Sequence, residues 1–288
     1  MTGAYPTEGR PPVPPGPPEA LPPRGVLVVT GTGTGVGKTV VTAAIAALAL
    51  GRGDRVAIVK PAQTGLAPCP YAEKSVNVGR LRPTFTDASD VVADARDAPD
   101  PRDAPDAETV RRLSGVTDIH ELARFPDPLS PEAAARVSGL PPLDMADAAE
   151  YIAALADSRD LVLVEGAGGL LVRYDKAGAT IADLAAMLEA PVLVVAAAGL
   201  GTLNHTTLTI EAIAARRLRL AGVVIGAWPR EPDLAERENL ADLETIAGGP
   251  LAGLLPAGSG SLPREAFLAA ALHGLGRSMG GSRGARDR

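Results

Sequence analysis

A glycine-rich segment that ends in lysine and threonine is the strongest chemical signal in the chain. It runs from Thr30 to Thr39 and reads Thr-Gly-Thr-Gly-Thr-Gly-Val-Gly-Lys-Thr. The backbone N–H groups of such a loop, with the N-terminus of the helix that it opens, attract phosphate oxygens. The Lys38 ammonium would neutralise the β- and γ-phosphates of a nucleotide, and the Thr39 hydroxyl would hold Mg²⁺. We therefore predict a nucleotide site at Gly33, Thr34, Gly35, Val36, Gly37, Lys38, Thr39 and Val40.

The spacing of this loop is one residue longer than that of the usual phosphate-binding pattern. Five residues, rather than four, separate Gly31 from the Gly37–Lys38 pair. The alternative is a glycine-rich turn with an incidental lysine. The nucleotide loop is favoured because Gly-Lys-Thr falls where a helix should begin.

Two more charged residues follow apolar runs. Glu165 ends the run Leu-Val-Leu-Val and precedes Gly-Ala-Gly-Gly, and Lys60 follows Val-Ala-Ile-Val and precedes Pro-Ala-Gln-Thr64. An acid at such a strand end faces the Mg²⁺ of a nucleotide, and a lysine there can bind an anion that develops on substrate or phosphate. Thr64 could donate a hydrogen bond beside it. The alternatives are an acid that merely ends a strand in solvent and a solvated lysine.

Apolar runs alternate with helical patterns along the body of the chain. Strands are predicted at 26–30, 55–59, 161–165, 192–197, 221–225 and 251–255, and helices near 39–50, 144–157, 180–188, 203–217, 232–246 and 263–273. Thr202 or Asn204 is expected to cap the helix near 203–217. Short strands that are apolar throughout are typical of a parallel sheet buried on both faces. We predict a P-loop NTPase-like α/β fold, with a doubly wound, mainly parallel sheet flanked by helices and its site at the carboxyl ends of the strands.

Composition divides the chain into three parts. Nine of the 27 prolines fall in residues 1–23, which we expect to be a disordered Pro-rich tail. Residues 24–275 are predicted to form a single domain, with an acidic surface insertion at about 86–105 that carries six aspartates. A metal-binding loop is the alternative for that insertion. Residues 276–288 are predicted to be a flexible tail.

Charge and composition exclude several classes of function. A net charge of −6 argues against a protein that mainly binds nucleic acid. The single cysteine, Cys69, excludes an intramolecular disulfide, and the three histidines lack zinc-ligand spacing. No apolar run reaches the roughly 18–20 residues of a membrane span, and no secretory signal is evident, so we expect a cytoplasmic protein.

Four sequence blocks together resemble dethiobiotin synthetase, the ATP-dependent carboxylase of biotin synthesis. They are the loop to Thr39, Lys-Pro-Ala-Gln-Thr-Gly from Lys60, Val-Glu-Gly-Ala-Gly-Gly-Leu-Leu-Val around Glu165, and Leu-Gly-Thr-Leu-Asn-His-Thr from Leu200. The resemblance covers about residues 26–270, and the longer first loop is the family's own variant. It implies a homodimeric carbon–nitrogen cyclo-ligase that takes Mg-ATP, CO2 and 7,8-diaminopelargonate and passes through a carbamic–phosphoric anhydride to a cyclic urea. No nucleic acid or membrane partner is implied.

The resemblance also implies roles for individual residues. Lys38 and Lys60 would be catalytic, and Thr39, Asp106 and Glu165 would bind the metal, with Asp103 as the rival of Asp106 in this role. The substrate would meet Lys60, Thr64, Gly168, Leu203 and Asn204, the last two across the dimer interface. The nucleotide would also meet Glu165, Gly226, Trp228 and Pro229.

Two departures from the family affect the site: the first removes a carboxylate that could touch substrate or ribose, and the second leaves the nucleotide base open. Many members carry Asp and Glu where this chain has Gly33 and Gly35, and some carry an Asn-Asp pair where it has Gly-Ala-Trp-Pro-Arg from Gly226. Another nucleoside triphosphate could therefore replace ATP.

There are two rival functions. One is a nucleotide-switch ATPase of the partitioning type, which would carry a further lysine at Gly33. The other is a ligase that receives ammonia from a glutaminase domain, for which the chain lacks room.

Overall fold

One parallel sheet organises the protein. The computed structural model describes residues 25–66 and 106–284, and all statements of structure below concern these residues. Seven strands lie in the order β3-β2-β4-β1-β5-β6-β7, and every neighbouring pair is parallel. They are β1 (Gly25–Gly31), β2 (Val56–Thr64), β3 (Ile119–Phe125), β4 (Leu161–Glu165), β5 (Val192–Ala196), β6 (Leu220–Trp228) and β7 (Gly253–Pro256).

Eight helices cover the two faces of this sheet. They are α1 (Lys38–Gly51), α2 (Asp106–Ser114), α3 (Pro131–Ser138), α4 (Met145–Ala156), α5 (Ile181–Met187), α6 (Thr202–Ala215), α7 (Leu234–Ala247) and α8 (Arg264–Gly274). Apolar residues of α1, α2 and α8 form one core layer, and those of α3 to α7 form the other. Alternate residues of β1 enter opposite layers, with Val28 in one and Leu27 and Val29 in the other. The predicted doubly wound α/β fold is confirmed.

Two elements of the sheet region were not predicted. Strand β3 carries His120, Glu121 and Arg124 among its apolar residues, and it lies at the edge of the sheet, paired with β2 alone. An edge strand keeps one side in contact with solvent, so it lacks the continuous apolar run by which the central strands were found. Helix α3 is only 8 residues long and follows a Pro-Asp-Pro-Leu-Ser stretch that is typical of a loop.

The C-terminal segment corrects one prediction. Residues 276–284, predicted to belong to a flexible tail, contain a short 3-10 helix at Arg277–Met279, and the Met279 side chain is fully buried. The Gly276 N–H donates to the Ala252 carbonyl at 2.8 Å, which ties the segment to the sheet. The segment resembles a flexible tail only in its content of glycine and arginine. The predictions for residues 1–23, for Cys69, for the insertion at 86–105 and for residues 285–288 lie outside the described residues.

The parallel arrangement brings five chain segments to one edge of the sheet. The carboxyl ends of β2, β4, β1, β5 and β6 are neighbours there, because the strands run in one direction. This is the edge at which ligands bind in open α/β sheets. In residues 25–66 and 106–284, no helix has the length and apolar character that a membrane crossing requires.

Candidate active site

The glycine-rich loop, here called the P-loop (residues 31–39), joins β1 to α1. Gly37 adopts a left-handed conformation with φ 98° just before the helix, and no side chain caps the first turn of α1. The first turn also holds no acidic residue. The amide groups of this helix end therefore point at the loop without a competing anion from α1 itself.

The P-loop rests directly on β6. A Cβ atom on Gly37 would lie 2.8 Å from the Gly226 carbonyl oxygen, and a Cβ on Gly226 would overlap the Val36 carbonyl oxygen. Only glycines allow two backbones to approach so closely. The end of β6, which the sequence assigned to the nucleotide base, thus lies against the phosphate loop.

The side chain of Lys38 folds back over the P-loop. Its ammonium donates to the Gly33 carbonyl at 2.8 Å, and the residue is 8% exposed. Burial, and then the positive charge of Lys60, lower the pKa of Lys38 to about 8. A lysine in this position is a cation that is poorly compensated by the protein and therefore disposed to bind phosphate oxygens.

A second lysine joins two acids beside the P-loop. The Lys60 ammonium lies 2.6 Å from Asp106 Oδ2 and 2.8 Å from Glu165 Oε1. The Thr39 hydroxyl lies 2.9 Å from Asp106 Oδ1 and 2.8 Å from Glu165 Oε1. Since a hydroxyl carries one proton, Thr39 donates to one of these carboxylates at a time. Four segments of the chain therefore converge on one cluster, Thr39–Lys60–Asp106–Glu165.

Charge compensation keeps this cluster ionised. Burial alone would lower the pKa of Lys60, but the carboxylates of Glu165 and Asp106 outweigh it and raise the pKa above the ordinary value. Burial alone would likewise raise the pKa of Asp106, and the Lys60 ammonium holds it below its usual range. Lys60 and Asp106 thus keep their opposite charges next to the phosphate loop.

The donor set of the cluster fits magnesium. Among the described residues, no group of three or more His, Cys, Asp and Glu side chains could hold a metal ion. Thr39, Asp106 and Glu165 instead offer a hydroxyl and two carboxylates, which are the hard oxygen donors that Mg²⁺ prefers. Because Mg²⁺ takes its remaining ligands from water and substrate phosphates, so small a set suits a nucleotide-bound ion.

The loop after β4 forms the other wall of the site. Gly168 has φ 70°, a conformation that favours glycine, and a Cβ on Gly169 would lie 3.5 Å from the Gly31 carbonyl oxygen. Thr64 ends β2 opposite Phe125 of β3, on the same sheet edge as Lys60. The loop after β4, residues 166–169 and here called the glycine loop, therefore passes close to the start of the P-loop.

The remaining predicted residues lie at the ends of β5 and β6. Leu203 and Asn204 belong to the first turn of α6, and Trp228 ends β6 opposite Pro256, with Pro229 next in the chain. The expected cap of α6 was wrong, because Gly201 precedes the helix with φ 92° and no side chain caps it. The Thr202 hydroxyl donates instead to the Ala197 carbonyl at 2.7 Å. Asp103 lies outside the described residues.

Sequence reasoning overlooked two residues of this site. A Cβ on Gly31 would lie 2.7 Å from Val36 Cγ2 and 3.2 Å from Lys38 Cγ, so the first loop glycine makes room for the lysine side chain. The hydroxyl of Tyr174 accepts the N–H of Ala167 at 2.7 Å, within the glycine loop. The spacing from Gly31 to Lys38 could have indicated the first, whereas no local pattern marks Tyr174.

Comparison with known proteins adds a second line of information. A family model described as AAA domain matches residues 25–261. A protein of Frankia casuarinae named ATP-dependent dethiobiotin synthetase BioD is 57% identical over 256 residues, which is 89% of this chain and 94% of the relative. Proteins of the same name from Parafrankia sp. and Streptomyces coelicolor are 52% and 49% identical, each over 89% of this chain and 94% of the relative.

Solved structures give a more distant likeness. The septum site-determining protein MinD from Pyrococcus horikoshii, complexed with Mg-ADP, is 17% identical, with a TM-score of 0.48 over 86% of this chain and 94% of that one. At this distance the likeness does not bear on function.

Proposed function

The chain belongs to the ATP-dependent dethiobiotin synthetase family, and on that premise we propose how its sheet edge couples ATP cleavage to the closure of a cyclic urea. Relatives about half identical over nearly nine-tenths of the chain make its activity ATP-dependent dethiobiotin synthesis, a carbon–nitrogen ligase reaction of biotin biosynthesis. The observation that carries the assignment of residues is that Glu165 Oε1 lies 2.8 Å from both the Thr39 hydroxyl and the Lys60 ammonium, beside the P-loop.

The proposed reaction has three steps. One amine of 7,8-diaminopelargonate attacks CO2 and loses a proton, which gives a carbamate. A carbamate oxygen then attacks the γ-phosphorus of ATP, the bond to the bridging oxygen breaks, and ADP leaves. The second amine finally attacks the carbonyl carbon of this carbamic–phosphoric anhydride and loses a proton, and phosphate leaves with the electron pair of the broken carbon–oxygen bond.

The P-loop positions the nucleotide for this transfer. Residues Gly33 to Val40 surround the phosphates, and Lys38 exchanges its bond to the Gly33 carbonyl for phosphate oxygens. Thr39, Asp106 and Glu165 would hold Mg²⁺, which neutralises phosphate charge when it is bound. Phosphoryl transfer needs little covalent help from the protein, so positioning and charge supply most of the catalysis.

Lys60 acts on the carbamate, which is the second reactant in the phosphoryl transfer. Its ammonium, fixed between Asp106 and Glu165, faces the carbamate and the transferring phosphoryl group, where negative charge accumulates. Thr64 and the glycine loop at Gly168 line the same side. A carbamate loses CO2 readily, so close walls around it favour the forward reaction.

We propose that the nucleotide base lies along the end of β6, at Gly226, Trp228 and Pro229. The backbone contact of Gly226 with Val36 and Gly37 supports this, because it brings the end of β6 next to the P-loop. ATP is the expected co-substrate, and a different nucleoside triphosphate is the alternative.

A homodimer would complete the substrate site. Leu200 and Leu208 are 94% and 56% exposed, before and on α6, and Leu171 is 47% exposed after the glycine loop. Large exposed apolar side chains on elements that flank the site favour a protein interface. Leu203 and Asn204 lie in the same region, from which they would reach the substrate of the partner subunit.

We propose a cytoplasmic enzyme that uses cellular ATP and acts on small molecules, without nucleic acid or membrane as a partner.

The deciding experiment supplies purified protein with 7,8-diaminopelargonate, bicarbonate and Mg-ATP. We expect mass spectrometry to detect the cyclic urea product in step with the release of one phosphate, and no product from the Lys38→Ala variant. ATP hydrolysis without the cyclic urea, stimulated by lipid or DNA, would contradict the proposal and favour a nucleotide switch.

A further inference from the structure

Tyr174 is the largest fully buried side chain among the described residues. Its hydroxyl oxygen accepts the backbone N–H of Ala167 at 2.7 Å. A buried tyrosine hydroxyl usually has a hydrogen-bond partner. Here the partner is the backbone N–H of Ala167, next to Gly168, which is a predicted substrate contact. This bond is the starting point of the inference.

The glycine loop (residues 166–169) is held mainly by backbone hydrogen bonds, among them one from the Val172 N–H to the Gly169 carbonyl at 3.3 Å. Its sequence, Gly-Ala-Gly-Gly, offers one methyl group for packing, so backbone hydrogen bonds and close contacts must fix its path. The Gly166 N–H donates to the Val29 carbonyl at 3.0 Å, and the Ala167 N–H donates to Tyr174. A Cβ on Gly168 would lie 2.9 Å from Val172 Cγ2. The tyrosine therefore supplies the second backbone anchor after Glu165.

Tyr174 is itself anchored from the other side. Its N–H donates to the Ala179 carbonyl at 2.8 Å, next to the antiparallel bridge between Arg173 and Thr180. Thr180 forms the capping box of α5 with Asp183. Burial raises the pKa of Tyr174, so its hydroxyl stays neutral around neutral pH. The ring thus links the start of α5 to the glycine loop.

We propose that Tyr174 is a positioning residue for the reaction, whose hydroxyl holds Ala167 and so fixes the glycine loop between Glu165 and the P-loop. Both ends of the glycine loop lie next to residues of the candidate active site. Glu165 precedes it and bonds Lys60 and Thr39, and Gly169 ends it where a Cβ would lie 3.5 Å from the Gly31 carbonyl oxygen. The inference rests on the proposed function for the identity of the substrate, but not for the structural role of the bond.

The test compares Tyr174→Phe with Tyr151→Phe. Tyr151 is a matched control because its hydroxyl also has one described partner, His120 Nδ1 at 2.8 Å, in a strand away from the P-loop. We expect Tyr174→Phe to raise KM for 7,8-diaminopelargonate about tenfold, with kcat and KM for ATP within about twofold of wild type. Tyr151→Phe should leave all three constants unchanged.

Amide hydrogen exchange provides a readout that needs no substrate. Exchange in residues 166–169 should accelerate in Tyr174→Phe and stay unchanged in Tyr151→Phe, and in the wild-type protein the Ala167 amide should exchange more slowly than that of Gly168. Unchanged kinetics in Tyr174→Phe, or an equal loss in every constant with a lower Tm, would overturn the inference. A wild-type enzyme without cyclic urea product would refute the proposed function, and exchange would still decide the role of Tyr174.

Discussion

The ammonium of Lys60 lies 2.8 Å from the carboxylate of Glu165, although the two residues are 105 positions apart in the chain. The register of the sheet explains this contact. Strands β2 and β4 are parallel neighbours in which Val59 pairs with Val164, so the next residues of both strands, Lys60 and Glu165, project on the same side. The lysine that we propose as catalytic is thus positioned by sheet hydrogen bonds rather than by a loop.

Replacing Lys60 by Met should therefore impair chemistry more than nucleotide binding. We expect kcat to fall at least about 100-fold, because the side chain serves the developing charge and not the resting nucleotide. Product formation by mass spectrometry gives kcat, and calorimetric titration gives the nucleotide Kd. The control is Lys176→Ala, an exposed lysine, with wild-type constants. Near-normal turnover in Lys60→Met would remove Lys60 from the mechanism.

Asp106→Asn should raise the Mg²⁺ requirement. One of the two carboxylates offered to the ion disappears, whereas Glu165 still compensates Lys60, so the protein should fold. We expect the Mg²⁺ concentration for half-maximal activity to rise about tenfold or more, equivalent to at least roughly 1.4 kcal/mol. Titration of activity with Mg²⁺ at saturating substrates measures it. The control is Glu108→Gln, on the same helix and paired with Arg111. Equal Mg²⁺ curves for the two variants would contradict a metal-binding role of Asp106.

Gly226→Ala should weaken nucleotide binding. The added methyl group would overlap the Val36 carbonyl oxygen, so the P-loop must move. We expect the nucleotide Kd to rise at least about tenfold, measured by calorimetry. Gly51→Ala is the matched control, since a Cβ there meets nothing within 4 Å. If Gly226→Ala bound the nucleotide as tightly as Gly51→Ala does, the close contact would have no functional weight.

Leu200→Glu should separate the subunits. An interface that buries this side chain would have to accept a carboxylate, which is strongly unfavourable unless the charge is paired. We expect light scattering to give the monomer mass and activity to fall at least about tenfold. Leu268→Glu is the control, because that leucine is 40% exposed on α8, on the opposite face of the sheet. A Leu200→Glu dimer with full activity would place the interface elsewhere.

The sequence was most informative where the structure is local or continuously buried. The P-loop, the six apolar strands and the helices between them follow from periodicity over a few residues. Lys60 and Glu165 could be assigned to one edge because parallel strands end together. Asp106 required the family resemblance, since its contacts with Thr39 and Lys60 join segments far apart in the chain.

Other features depend on contacts that no local pattern encodes. The edge strand β3 mixes polar and apolar residues, and the Gly/Arg-rich segment after Leu275 is ordered because Met279 enters the core. Tyr174 stands in a polar stretch and acquires its partner only when the glycine loop folds over it. Tertiary packing decides such positions, and composition alone does not reveal them.

The ion pair between Lys60 and Asp106 also holds together two chain segments that are far apart in sequence. This ion pair, with the N–H groups of Gly65 and Leu66 held by the Asp127 and Phe125 carbonyls, fixes the position of the chain at residues 66 and 106. Lengthening the connection between these two residues adds little to the free-energy cost of closing it, since the entropic penalty grows only with the logarithm of length. A change in the number of residues between Leu66 and Asp106 should therefore alter stability only slightly, by about 0.6 kcal/mol for each doubling in length.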